Sequence, residues 1–305
     1  HMIHNDSQKF PDFKKIIDGK AESKVSTNIY SNLTYEDYTK HLDLVIITHF
    51  HLDHCGALPY FTEICGYNGP IITSQPTKAI LPITLEDFRK IISDYKGERS
   101  ILSPKQITDC MNKITTMEIG EERIINKRIK VTSFYAGHVL GAGIYQIEVD
   151  GYKVVYTGDY NTSSDRHLGG AYVPRIYPNL LITETTYGDT VRDTKRVRER
   201  EFLEKIQSTL EKGGKVLIPV FALGRAQELC ILLDTHWRRT KSEIPIYFAG
   251  PLAEKANYYY KLFTNWTNQK IKNIFLERNV FDFNFVKHGD KSVIKSNQPM
   301  VIFAT

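Results

Sequence analysis

Short apolar runs recur along the whole chain and give its clearest secondary-structure signal. Each run is rich in Val and Ile and is bounded by Gly, Pro or Asn, a pattern typical of buried β-strands. We therefore predict strands at 44–47, 129–135, 154–156, 180–182, 215–221, 246–248 and 300–303.

From about residue 191 onward, these runs alternate with helical patterns. The clearest helix follows Gly224-Arg225 and has apolar positions at spacings of three and four, which predicts one buried face. That face carries Leu229, Leu232, Leu233, His236 and Trp237. Strands that alternate with helices are typical of a doubly wound α/β unit with a parallel sheet.

The earlier part of the chain predicts a mixed sheet. Segments 129–135 and 144–156 resemble hairpin partners, and Asp150-Gly151 is a favourable two-residue turn. The polar stretch 18–38 lacks a period and predicts a surface insertion. A basic segment at 192–200 changes the composition, so we predict two domains, 1–188 and 189–305. A solvated helix face is the alternative reading of that basic segment.

Composition limits the class of protein. The chain has 305 residues, 41% hydrophobic and 25% charged, and 40 Lys and Arg against 35 Asp and Glu give a net charge of +5. These values are typical of a soluble globular protein that tolerates an anionic partner. Its 4 scattered cysteines favour a reducing compartment, and no run approaches the ~18 apolar residues of a membrane span. We expect a nuclear location, with a cytoplasmic one as the alternative, and no membrane association.

One segment concentrates metal-binding side chains. The apolar strand at 44–47 leads into His49, His51, Asp53 and His54. Because side chains alternate along an extended segment, His49 and His51 project to the same side, and Asp53 and His54 follow on the turn. This layout suits two adjacent metals. Imidazole and carboxylate without thiolate favour Zn²⁺ over Mn²⁺ or Fe²⁺.

Three later apolar strands also end at a polar residue, respectively His138, Asp159 and Glu184. If these strands share a sheet, their ends converge where ligand sites collect. Gly137 and Gly158 allow a sharp backbone turn before the first two. Taken singly, the residues also have structural readings: a packed histidine, a turn aspartate and a surface glutamate.

The segment His49, His51, Asp53, His54 resembles the H-x-H-x-D-H motif of the metallo-β-lactamase superfamily letter for letter. Glu184, followed by a separate α/β domain, narrows the resemblance to the β-CASP nucleases. The resemblance implies an α/β fold: a metallo-β-lactamase αββα sandwich with an inserted β-CASP parallel-sheet domain. Against that family, the sandwich is expected to lack its first strands and the β-CASP domain to stop before its end, ahead of later family histidines.

The resemblance also implies roles for the candidate residues. One zinc ion would be held by His49, His51 and His138, a second by Asp53 and His54, and Asp159 would bridge the two. Asp53 and Glu184 are the expected catalytic residues, with Glu184 acting by orienting a histidine outside this sequence. A hydroxide bridging the two zinc ions would then hydrolyse a phosphodiester bond.

Within the family, the runs 51–61, 158–161, 165–169 and 216–232 resemble the endonucleases of RNA 3′-end processing. RNA is therefore the expected substrate, and Arg192, Arg196 and Arg225 are candidates to contact its phosphates. The expected partners are a homologous β-CASP subunit and scaffold proteins of a 3′-end processing complex. The alternatives are a DNA-processing β-CASP nuclease, a thioester or lactam hydrolase, and a non-catalytic scaffold subunit.

Overall fold

A computed structural model describes residues 10, 11, 13, 16, 17, 37–95, 102–191, 193–221, 223–250 and 252–304. Contacts divide the chain into two compact units. The first contains residues 1–162 and 170–184, and the second contains 163–169 and 185–305. The domain boundary at 188/189 stays a prediction. Of the predicted insertion at 18–38, all but the last two residues lie outside the described part of the chain.

The first unit begins with a three-stranded parallel sheet in the order β1-β2-β3. Helix α4 packs against β2 and β3, and its first turn is capped by Ser74, whose hydroxyl accepts a hydrogen bond from Thr77 N. The elements are α1 (Asp37–His41), β1 (Val45–Ile46), α2 (Leu52–Cys55), α3 (Leu58–Glu63), β2 (Ile71–Ser74), α4 (Gln75–Lys90), α5 (Pro104–Lys113) and β3 (Ile114–Met117).

A five-stranded mixed sheet follows in the order β4-β5-β6-β7-β8. Its strands are β4 (Glu122–Ile125), β5 (Ile129–Tyr135), β6 (Gly143–Val149), β7 (Tyr152–Tyr156) and β8 (Leu180–Ile182). Strands β4 to β7 are antiparallel, and β8 is parallel to β7. Asp150 and Gly151 join β6 to β7 with φ values of 51° and 84°, as a type I′ turn requires. The predicted mixed sheet and turn are confirmed.

The two sheets of the first unit bury a common core. It contains Ile72 and Met117 from the three-stranded sheet together with Ile129, Val131 and Tyr145 from the five-stranded sheet. Side chains of both sheets therefore meet face to face, as in a sandwich.

Strand β8 corrects one prediction. The run 180–182 was expected to be buried, but Leu180, Leu181 and Ile182 are 52%, 55% and 45% exposed. The physical reason is position: β8 lies at the edge of the sheet and, among the described residues, pairs with β7 alone. An apolar run indicates burial in the assembled fold. At the edge of a sheet, that burial depends on segments that are distant in sequence.

The second unit contains a four-stranded sheet, all parallel, in the order β11-β10-β12-β9. This confirms the predicted alternation of strands and helices. Its elements are α6 (Lys195–Glu211), β9 (Lys215–Pro219), α7 (Arg225–Thr240), β10 (Ile246–Ala249), α8 (Leu252–Leu262), α9 (Gln269–Phe275), β11 (Val286–Gly289) and β12 (Met300–Ala304). In the described part of the chain, every helix is too short or too polar to cross a membrane.

Helix α7 buries three of the five predicted positions, whereas Leu229 and His236 are only half-buried. Leu232, Leu233 and Trp237 are buried, and Ala226 and Cys230 extend the same buried face against β10 and β12. This wider face shows why the helix sits against the middle of the sheet. All cysteines of the chain carry free thiols.

Candidate metal centre

The turn after β1 brings His49 and His51 together. His49 is buried, and its Nδ1 lies 3.1 Å from Thr48 Oγ1, which turns Nε2 toward the centre of the cluster. His49 Nε2 and His51 Nδ1 are 3.0 Å apart. Helix α2 begins at Leu52, so Asp53 and His54 lie in its first turn.

Three strand ends of the five-stranded sheet supply the later residues. His138 follows β5, Asp159 follows β7 and Glu184 follows β8. Because β5, β7 and β8 run in the same direction, their carboxyl ends lie at one edge of the sheet. The expected convergence of these three strands is confirmed, whereas β1, which leads to His49, belongs to the other sheet.

Four side chains offer donor atoms that all lie within 4.8 Å of one another: His49, His51, His138 and Asp159. His138 Nε2 lies 3.2 Å from His51 Nδ1 and 3.5 Å from Asp159 Oδ2. Three imidazoles and one carboxylate are the ligand types that suit Zn²⁺ and similar divalent ions. The residues present therefore fit a metal ion, and the cluster could hold one.

Asp159 faces imidazoles on two sides. Its Oδ2 is 3.8 Å from His49 Nε2 and 3.5 Å from His138 Nε2, whereas its Oδ1 is 3.3 Å from His54 Nε2. His54 Nε2 also lies 3.4 Å from Asp53 Oδ2. One carboxylate thus separates the cluster of three histidines from a second pair of candidate ligands.

Burial sets the charge state of the cluster. Desolvation, together with the neighbouring imidazoles, holds the pKa of His49 far below its usual value. Desolvation and the nearby His138 lower the pKa of His51 to about 4. Desolvation raises the pKa of Asp159, and His54 opposes that rise. At neutral pH, His49 and His51 are consequently neutral, with lone pairs that can bind a cation.

The loop that carries Asp159 lies against the side chains of Thr48 and Glu184. Gly158 has φ 55°, and a Cβ atom there would lie 2.8 Å from the Thr48 side chain. Tyr160 N donates a hydrogen bond of 3.0 Å to Glu184 Oε1. Glu184 therefore lies beside the Asp159 loop and outside the group of four donor residues.

The loop that carries His138 is held by two hydroxyls that sequence reasoning missed. Ser74 Oγ donates to Gly141 O at 2.6 Å, and Thr77 Oγ1 donates to the same oxygen at 3.1 Å. Ser74 Oγ also caps the N-terminus of α4 and lies 2.9 Å from Thr77 Oγ1. Nothing in the local sequence links them to residue 138, since the contact forms only when the two sheets pack.

The predicted RNA-contacting residues lie in the second unit. Arg225 is 62% exposed at the start of α7 and pairs with Glu228, which also accepts from Lys195 Nζ at 2.9 Å. Arg196 is exposed on α6. Arg192 lies outside the described residues.

Comparison with known proteins identifies the family. Residues 9–180 match the sequence model of the Metallo-beta-lactamase superfamily domain. The chain belongs to the metallo-beta-lactamase superfamily. Residues 226–305 match the Beta-Casp domain, so the resemblance inferred from the H-x-H-x-D-H motif and the α/β domain is confirmed. Membership of this superfamily implies metal binding.

The curated relatives that the chain matches carry names from RNA processing. Integrator complex subunit 11 of Gallus gallus is 52% identical over 305 residues, which are 100% of this chain and 48% of the relative. Cleavage and polyadenylation specificity factor subunit 3-II of Arabidopsis thaliana is 44% identical over 305 residues, or 100% and 47%. Endoribonuclease YSH1 of Yarrowia lipolytica is 40% identical over 251 residues, or 81% and 30%. The chain spans about half the length of the first two relatives.

Proposed function

We propose that the protein is a zinc-dependent endoribonuclease that hydrolyses a phosphodiester bond in RNA 3′-end processing. The observation that carries the proposal is the position of Asp159, whose two oxygens face different groups of candidate ligands. A carboxylate placed in this way suits a centre of two metal ions, the arrangement common to phosphodiester-cleaving enzymes.

His49, His51 and His138 would hold one zinc ion, Asp53 and His54 the other, and Asp159 would contact both. When bound, the ions lower the pKa of water and neutralise charge on the phosphate. The low pKa of His51 keeps its ring available as a ligand over the whole physiological range, because protons do not compete for it there.

Asp53 and Glu184 are assigned different tasks. Besides serving as a ligand, Asp53 would take the proton of an attacking water, because its side chain is 41% exposed beside His54 and is therefore accessible to water. Glu184 acts as a positioning residue, since it accepts a hydrogen bond from the Tyr160 backbone next to Asp159. Its contact supports the backbone next to Asp159.

The names of the relatives favour RNA as the substrate and a nuclear multi-subunit complex as the setting. One relative is named an endoribonuclease and another a subunit of the Integrator complex. By extension, we propose as partners a homologous β-CASP subunit and scaffold proteins of a 3′-end processing complex. Arg225 and Arg196, which are exposed, would contact RNA phosphates, and we propose the same role for Arg192. Between an Integrator-type role and pre-mRNA cleavage, the 52% identity favours the first.

The test measures metal content and then cleavage. The full chain, purified without chelators and without a His-tag, is analysed by inductively coupled plasma mass spectrometry. Two zinc ions per chain are the expected result. An end-labelled RNA is then incubated with and without a chelator, beside a DNA strand of the same sequence. Cleavage of RNA that stops with the chelator and returns with Zn²⁺ supports the proposal.

Other outcomes would select another function. Cleavage that a chelator leaves intact would refute the metal mechanism. Preference for the DNA strand would identify a DNA-processing β-CASP nuclease, and tight metal binding without cleavage of either strand would indicate a scaffold subunit.

A further inference from the structure

Residues 163–169, here named the anchor loop, belong to the second unit although the chain on both sides belongs to the first. The stems of the loop are joined to each other, because Ala171 N donates to Asn161 O at 2.7 Å. Asn161 N in turn donates to Ala136 O at 2.9 Å. The chain thus leaves the first unit and returns to it between Asn161 and Ala171. This hydrogen-bonded pair is here named the neck.

The neck lies next to two proposed metal ligands. Asn161 is two residues after Asp159, and its partner Ala136 is two residues before His138. The hydrogen bond between these two backbones therefore connects the loop of Asp159 to the loop of His138.

The tip of the anchor loop is folded around Asp165. Its Oδ1 accepts hydrogen bonds from His167 N at 3.0 Å and Leu168 N at 2.7 Å. His167 and Leu168 are buried, and the ring of His167 packs 5.1 Å from that of Tyr260 on α8. The tip of the anchor loop is therefore packed into the core of the second unit.

Asn268 holds this tip from the start of α9. Its backbone N donates to His167 O at 2.9 Å. Its side-chain Nδ2 donates to Asp165 O at 3.3 Å and to Leu168 O at 3.4 Å. Its Oδ1 separately accepts from Ile271 N at 2.9 Å and caps α9. The two ends of one amide group thus perform two different tasks.

A second contact holds the same loop from α6. Arg166 donates to both oxygens of Glu199, through Nε at 2.9 Å and Nη2 at 2.6 Å. This fork geometry fixes direction as well as distance. The tip of the anchor loop is therefore held by α6 and by Asn268 at the start of α9, both in the second unit, whereas the neck belongs to the first unit.

We propose that Asn268 is a positioning residue for the metal centre and acts through the anchor loop. The inference rests on the proposed function for the role of Asp159 and His138 as ligands. A loop fixed at its tip and its neck transmits restraint along the few residues between them. Release at the tip loosens the neck, and a ligand shell that is less well supported binds metal more weakly.

The variant Asn268→Asp separates the two tasks of the side chain. Aspartate keeps the acceptor for Ile271 N and is a good N-cap, but it has no N–H group to donate to Asp165 O or Leu168 O. Loss of these two bonds should speed hydrogen exchange of the Asn161 and Ala171 amides about tenfold in the full chain. The affinity for Zn²⁺, titrated against a chromophoric chelator, should fall about tenfold.

Two further variants complete the test, one as a control and one as a second way to release the anchor loop. Asp290→Ala removes a cap in the same unit, where Asp290 accepts from Ser292 N at 2.7 Å, and should leave exchange at Asn161 unchanged. Glu199→Gln weakens the ion pair with Arg166. Like Asn268→Asp, it should speed amide exchange at Asn161 and Ala171 and lower the affinity for Zn²⁺.

Wild-type exchange at Asn161 and Ala171 in Asn268→Asp would overturn the inference, as would equal effects from Asp290→Ala. Absence of zinc binding in the unsubstituted chain would refute the proposed metal centre instead. The exchange rates at the neck would still decide whether the anchor loop restrains it.

Discussion

His49 Nε2 lies 3.8 Å from Asp159 Oδ2, although the two residues follow strands of different sheets. The contact exists only when β1 and β7 are packed in the same sandwich. Formation of the candidate metal centre and packing of the first unit are therefore one event, and metal binding should report on folding.

Asp159→Ala should remove metal and cleavage together. The carboxylate faces three imidazoles through its two oxygens, so its loss opens both candidate metal positions at once. We expect affinity for Zn²⁺ to fall by more than the roughly 10–100-fold that loss of a ligand-supporting contact costs. Metal content by mass spectrometry checks this. Asp150→Ala, at an exposed turn, is the control, and retention of both metal and activity by Asp159→Ala would contradict the bridging role.

Gly158→Ala should be more harmful than Gly151→Ala. Both glycines have positive φ, 55° and 84°, so each substitution costs about 1–2 kcal/mol in backbone conformation. Only at 158 would the new Cβ also meet a neighbour, Thr48, at 2.8 Å, which adds about 1–3 kcal/mol. Urea unfolding measures the free energies, and metal content should fall only for Gly158→Ala. Equal losses from the two variants would show that the Thr48 contact is unimportant.

Asp165 should make the second unit sensitive to acid. Burial alone would raise its pKa, but the interaction with His167 and the backbone N–H groups of His167 and Leu168 lower that pKa from 3.8 to about 2. Because the folded pKa is the lower one, the stabilisation is complete above about pH 4 and is lost as the pH falls toward 2. The free energy at stake is about 2 kcal/mol.

The measurement for Asp165 is urea unfolding followed by tryptophan fluorescence. Both tryptophans, Trp237 and Trp266, lie in the second unit. The stability gap between the unsubstituted chain and Asp165→Asn should close between about pH 4 and about pH 2. A gap that is independent of pH would mean that Asp165 does not titrate at a depressed pKa.

Neighbouring tyrosines on α8 should differ sharply in their effect on stability. Tyr260 is fully buried against His167 and Phe281, whereas Tyr258 is 61% exposed. Tyr260→Ala should cost about 3–5 kcal/mol of unfolding free energy, and Tyr258→Ala should stay within about 0.5 kcal/mol. Thermal unfolding of the two variants side by side checks the difference.

Much of the candidate site was predictable because its residues are marked by local pattern. His49, His51, Asp53 and His54 are adjacent in sequence, and His138, Asp159 and Glu184 each follow an apolar strand. Strand ends are visible in a sequence, and parallel strands necessarily end at one edge.

The rest of the fold depends on contacts that no local pattern carries. The separation of β1 from β5, β7 and β8 into two sheets is a choice among pairings. The hydroxyls of Ser74 and Thr77 find Gly141 O only after the sheets pack. Exposure of Leu180 was likewise unpredictable, since an edge strand and a central strand have the same composition.

The path of the chain at 163–169 decides how this protein can be divided. The segment is encoded between two stretches of the first unit, yet its side chains complete the second. A single cut near residue 188 therefore yields neither unit whole: the upstream fragment would expose His167 and Leu168 to water, and the downstream fragment would leave Asn268 without the carbonyl groups it holds. Two polypeptides divided there should regain stability only when they are mixed, because each lacks a piece that the other carries.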